Sequence, residues 1–82
     1  MEASHQDLAL HLGLSQLELI ADLERKIAFR TSGRIRGLRV ESAGDAIVLW
    51  GRTSTYYVKQ LATQIALDEQ TELSLQNSIE VV

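Results

Sequence analysis

Along the chain the spacing of apolar and polar positions changes repeatedly, and each change predicts an element. From Ser15 the apolar residues fall at 20, 23 and 27, with 17, 19 and 28 widening the stripe. Spacings of three and four place them on one side of a helix. Ser15-Gln16-Leu17-Glu18 reads as a capping box, in which the Ser15 hydroxyl and the Glu18 carboxylate each satisfy an amide at the helix start. Asp22 and Glu24 precede Arg25, Lys26 and Arg30, an order that complements the helix dipole. Thr31-Ser32-Gly33 supplies the stop, with Gly33 able to adopt a left-handed conformation.

The period then becomes two. Leu38 and Val40 alternate with Arg39 and Glu41, which predicts a strand with one apolar and one wet face. Ser42-Ala43-Gly44-Asp45 has the composition of a turn. Ile47 to Trp50 complete a hairpin, with Ile47 and Leu49 on one face and Val48 and Trp50 on the other. Gly51 ends that strand, where a helix must pack closely and a Cβ would intrude. Thr53, Ser54 and Thr55 can each cap a second helix. Its stripe is Val58, Leu61, Ala62 and Ile65, with Tyr57 at the margin, and it stops near Leu67 or Asp68 without a glycine. Leu73, Leu75, Asn77, Ile79 and Val81 alternate in a last strand.

The order helix, strand, strand, helix, strand predicts an α+β fold with two helices on one face of a three-stranded sheet. The sheet is mixed if the second and third strands are neighbours, because a helical crossover joins them. Residues 15–82 make one domain. Residues 1–14, where Leu8, Leu10, Leu12 and Leu14 alternate, are expected to form a loose tail or a segment that docks on a partner.

Composition narrows the chemistry. The 82 residues contain no Cys and no Pro, which excludes disulfides, thiolate metal sites and thiol catalysis. No apolar run approaches the roughly 18 residues of a membrane span. The start, MEASHQDLALHLGL, carries Glu2 and Asp7 where an export signal has cations, so a cytoplasmic protein is expected. The net charge of −3 conceals an asymmetry, since residues 25–59 hold all eight basic residues against two acids, Glu41 and Asp45, a net of +6. Such a block either marks an anionic partner or is a solvated surface whose charges compensate across the fold.

Several short motifs resemble the BON domain, a small bacterial module of the same element order. Leu38 and Val40 resemble its first strand; Ile47, Leu49 and Gly51 resemble its apolar-x-apolar-x-Gly second strand. Ala62 with Leu61 and Ile65 resembles its second helix, and Asn77-Ser78-Ile79-Glu80-Val81 its closing Asn-x-apolar-x-Val. The likeness spans about Leu17 to Val81. Two places depart from it: Glu69-Gln70-Thr71-Glu72 stands where the family has Gly-Val, and the hairpin Asp-Gly is inverted to Gly44-Asp45. The resemblance implies a non-catalytic module that binds phospholipid surfaces or attaches other domains to membranes, as in osmotic-stress proteins.

No catalytic constellation competes with that implication. His5 and His11 lie six apart in the tail, a spacing that does not share a helix face. No acidic pair sits among apolar residues, where burial would tune a pKa for acid–base work. The chain is therefore read as non-enzymatic, with no cofactor, metal or small-molecule substrate. Gly33-Arg34-Ile35-Arg36-Gly37 is neither a P-loop nor a dinucleotide fingerprint, both of which open a helix. It is a helix stop and strand entry, or an anion site at Arg34 and Arg36. Trp50 is the sharpest feature. It is expected on the uncovered sheet face with Val48, Arg39, Glu41, Gln76, Ser78 and Glu80, and Arg52 follows on the same side. An aromatic there suits a phospholipid surface, a protein partner or a second copy of the chain, unless the leucines of the tail fold over it. Nucleic acid is disfavoured by the net acidity and by only four aromatic residues.

Overall fold

The computed structural model describes residues 14–82, with side chains described from residue 17. Helix α1 spans Leu14–Arg30, strand β1 Arg36–Ala43, strand β2 Ala46–Thr53, helix α2 Tyr56–Glu69 and strand β3 Ser74–Val81. The sheet order is β1-β2-β3, with β1 and β2 antiparallel and β2 and β3 parallel. The sheet is thus mixed, with β2 at its centre. His5, His11 and the tail leucines before residue 14 lie outside the described residues.

Both helices cover one face. Leu23 and Ile27 of α1, Ile35 of the following loop, and Val58, Ala62, Ile65 and Ala66 of α2 meet Val40, Ile47, Leu49 and Ile79 of the sheet. The apolar periods select the helix and strand members of this set except Ala66, which joins the predicted α2 stripe, and Ile35, which lies in a loop outside every period. Tyr57 does not belong to that stripe and is exposed. On α1 the stripe is narrower than its spacing suggests, for Leu17 and Ala28 are exposed. Glu24 occupies part of that flank. It accepts a hydrogen bond from the Val40 amide at 3.0 Å, and so closes one outward-facing donor of the edge strand.

Two local expectations need correction. Ser15 does not cap α1, because the helix already includes Leu14 and an N-cap residue lies outside the helix. At the α1 stop Gly33 is left-handed as expected, φ +69°, and Ser32 before it is left-handed too, φ +56°. The Ser32 amide donates to Phe29 O at 3.0 Å and the Gly33 amide to Ala28 O at 2.9 Å, the paired bonds of a Schellman stop with Ser32 in the position glycine usually takes. Gly51 does not end β2, which runs on to Thr53.

The remaining joints follow from side-chain chemistry. Gly44, φ +65°, is the first of two residues between Ala43 and Ala46, which is why glycine leads the pair: a type II′ turn demands a positive φ there. Thr55 caps α2, accepting from the Val58 amide at 3.2 Å. At its far end α2 is stopped by Gln70, whose amide donates to Ala66 O and whose side chain accepts from the Leu73 amide at 2.9 Å. Glu69 opposes the helix dipole there, but Lys26 meets it at 2.9 Å. Asn77 ties β3 to α2. Its amide nitrogen donates to Lys59 O and Thr63 Oγ1, each at 2.8 Å, and its oxygen accepts from the Ile79 amide at 3.0 Å.

Candidate functional site

The face of the sheet away from the helices carries Trp50. Strand alternation sends Val48, Trp50 and Arg52 to that side, opposite Ile47 and Leu49; Val48 is buried there at 7% exposure, whereas Trp50 and Arg52 are exposed. The register then fixes their neighbours. Arg39 lies across from Trp50 and Glu41 across from Val48 on β1, while Gln76, Ser78 and Glu80 flank Val48, Trp50 and Arg52 on β3. The expected face is assembled as the alternation predicts.

Arg36 reaches this face by a different route. Simple alternation would place it with Leu38 and Val40, toward the helices. Instead Arg36 pairs with Arg52 and Arg39 with Trp50, so Gly37 and Leu38 together oppose the single residue Gly51. This is a β-bulge with its first residue left-handed, Gly37 at φ +64°, and the extra residue turns Arg36 to the open side. Gly51, φ +150°, is held against the bulge. A Cβ added there would lie 2.6 Å from Ile35 Cγ2, 3.2 Å from Arg36 O and 3.3 Å from Leu38 Cα. The close approach anticipated for Gly51 is real, but its partner is the strand entry and not a helix.

An open groove of about 500 Å³ results, lined by Arg36, Gly37, Trp50, Gly51, Arg52, Ser78 and Glu80. Trp50 is 44% exposed and its orientation is fixed. The indole Nε1 donates to Glu41 Oε1 at 3.1 Å, while Glu41 Oε2 accepts from Arg39 Nη1 at 3.4 Å. Arg52 Nε lies 3.8 Å from Glu80 Oε1. Two of the face's arginines are thus paired with acids, whereas Arg36 forms no ion pair among the described residues.

Four of the five candidate residues therefore share one surface: Arg36, Arg39, Trp50 and Arg52. Arg34 does not. It lines a second groove, with Gly33, Arg36, Thr53, Ser54, Thr55 and Val58, where the α1–β1 loop meets the start of α2. Arg36 stands between the two grooves and lines both. Sequence reasoning passed over Thr53 as one of three alternative caps; only the fold places it in a cavity wall.

The charge asymmetry of the sequence becomes spatial. Arg25 and Lys26 are taken up along α1, with Asp22 at 3.2 Å and 2.9 Å. Bonding from Lys26 holds the Asp22 carboxyl below its ordinary 3.8, and bonding to Glu69 and then Asp22 raises Lys26 above 10.5. Arg34, Arg36 and Arg52 gather at the end where β1 begins and β2 ends. Asp45 and the Asp68 to Glu72 stretch lie at the other end, where the hairpin turns and the Asp45 carbonyl receives the Ser74 amide at 3.1 Å. No helix among the described residues is long and apolar enough to cross a membrane. Compared with protein-family models, curated proteins and solved structures, the chain matches none.

Proposed function

We propose that the chain is a non-enzymatic, BON-like binding module that applies the sheet face around Trp50 to an anionic phospholipid surface. The observation that carries this reading is Trp50, held half-exposed at the centre of that face with Arg36, Arg39 and Arg52 around it. Indoles favour the boundary between apolar and polar phases, and nearby arginines attract anionic headgroups. The resemblance of the strand and helix motifs to BON domains supports the same reading.

Trp50 is the chain's one tryptophan, so its fluorescence reports on this site alone. Anionic vesicles at low salt should shift the emission to the blue and carry the protein down on sedimentation. Arg36→Glu with Arg52→Glu should abolish both effects. Absence of any shift or co-sedimentation for the wild type refutes the reading.

A second reading is favoured by the ion pairs on the face. Arg39 with Glu41 and Arg52 with Glu80 make the surface mixed in sign and able to complement a second copy of itself. In that case the module is a small homo-oligomerising adaptor. Analytical ultracentrifugation of wild type against Trp50→Ala separates the two readings, since a monomer at every concentration removes the second.

A further inference from the structure

We infer that the groove at the start of α2 is a phosphate-binding cradle, distinct from the sheet face and sharing only Arg36 with it. The first intrahelical bond of α2 runs from the Lys59 amide to Thr55 O at 3.4 Å. The amides of Tyr56 and Tyr57 therefore precede the helical ladder and have no partner within it. No acidic residue occupies the first turn of α2, so nothing in the helix offsets the partial positive charge at its start.

A helix start alone is not a site, and the deciding observation is Thr53. This residue stands on the helix-facing side of β2 and is only 2% exposed, yet its hydroxyl has no hydrogen-bond partner among the described residues. No fully enclosed side-chain polar atom lacks a partner there, so the trace of Thr53 left open is its hydroxyl, in the wall of the groove it lines. That hydroxyl therefore takes its hydrogen bonds from whatever occupies the groove. Arg34 and Arg36 line the same groove and make no ion pair among the described residues. Two guanidinium groups without ion pairs and a hydroxyl line one groove at the uncompensated start of α2, a set that fits a tetrahedral oxyanion of more than one charge. The ligand class is a phosphate group, either free or as the headgroup of a lipid.

The test is an amide NMR titration with inorganic phosphate against chloride at matched ionic strength. Saturable shifts confined to residues 53–58, produced by phosphate alone, are expected. Thr53→Val keeps the shape and removes the hydroxyl, and should weaken phosphate binding about tenfold, while Thr53→Ser restores it. If Thr53→Val does not fold, Arg34→Gln takes its place with the same expected direction. Trp50→Ala should leave the titration unchanged, so the cradle and the sheet face can fail separately. Vesicles of phosphatidylcholine with and without phosphatidic acid identify the source. A loss of vesicle binding in Thr53→Val assigns a lipid headgroup, and unchanged vesicle binding with lost phosphate binding assigns a soluble phosphate ester. Equal shifts with chloride, or wild-type phosphate affinity in both Thr53→Val and Arg34→Gln, overturn the proposal.

Discussion

Gly51→Ala probes the contact on which the groove beside Trp50 depends. Two separate costs follow from its position. The backbone at Gly51 has φ +150°, a conformation that side chains rarely adopt, and holding one there costs about 1–3 kcal/mol. The new methyl would also meet Ile35 Cγ2 at 2.6 Å and the backbone of Arg36 and Leu38 at 3.2 and 3.3 Å. Ile35 is itself buried in the core and cannot swing aside, so overpacking adds about 1–3 kcal/mol. A total near 2–6 kcal/mol is a large part of the roughly 5–15 kcal/mol that holds a small domain together. Urea denaturation followed by circular dichroism measures the loss. The packing share is then isolated by Ile35→Ala, which deletes the clashing Cγ2. In the Gly51→Ala background that second change should cost about 1–2 kcal/mol less than it does in the wild type, and the backbone contacts should keep the rescue incomplete. A loss under about 1 kcal/mol for Gly51→Ala, or additive effects in the double variant, would refute the close-approach argument.

Ser32→Gly should stabilise the chain by about 0.5–1 kcal/mol, read from the thermal midpoint, because it relieves a left-handed serine at the end of α1. Asn77→Ala should cost about 2–3 kcal/mol in urea denaturation, since it leaves the Lys59 carbonyl and Ile79 amide without the bonds that tie β3 to α2. Thr53→Val should leave stability within about 0.5 kcal/mol in the same assay, because the hydroxyl it removes opens into the groove and bonds no other described residue. The Asp22 carboxyl, held below 3.8, contributes stability present above its unfolded value and lost as the pH falls through the folded one, so the midpoint should drop below about pH 4, and Asp22→Asn should flatten that part of the profile.

The parts of the fold that were legible in the sequence are those governed by a local period. Ile20, Leu23 and Ile27 at helical spacing, and Ile47 and Leu49 at strand spacing, specify which side of each element is buried, and hence which side carries Trp50. The parts that were hidden depend on contacts between distant segments. Nothing near Arg36 announces that a bulge will turn it outward, because the bulge exists only where Gly37 and Leu38 must both face Gly51. Gly33 announces the left-handed stop of α1 by composition, but nothing local announces that Ser32 before it is left-handed too, as the Schellman bonds require. Thr53 belongs equally to a strand end and a helix approach by composition, and only the packed loop of Gly33 and Arg34 makes it a cavity wall.

The departures from local rules are not scattered. A side chain is excluded at Gly51, a left-handed bulge residue sits at Gly37, the Thr53 hydroxyl opens into a groove with no partner among the described residues, and Arg34 and Arg36 form no ion pair among them. All lie at the end where β1 starts and β2 meets α2, whereas the hairpin end is closed by a glycine-led turn and the Gln70 stop. Proteins that are otherwise locally consistent concentrate such costs at sites that serve a purpose other than folding. The charges agree with this polarity. Arg34, Arg36 and Arg52 face one way while Asp45, Asp68, Glu69 and Glu72 face the other, so the chain carries a dipole that would turn its basic end toward an anionic surface before contact. Arg36 lies where the two grooves adjoin, and its placement follows from the bulge at Gly37. A headgroup phosphate in the cradle and an indole at the interface would then engage one surface from two adjoining sites.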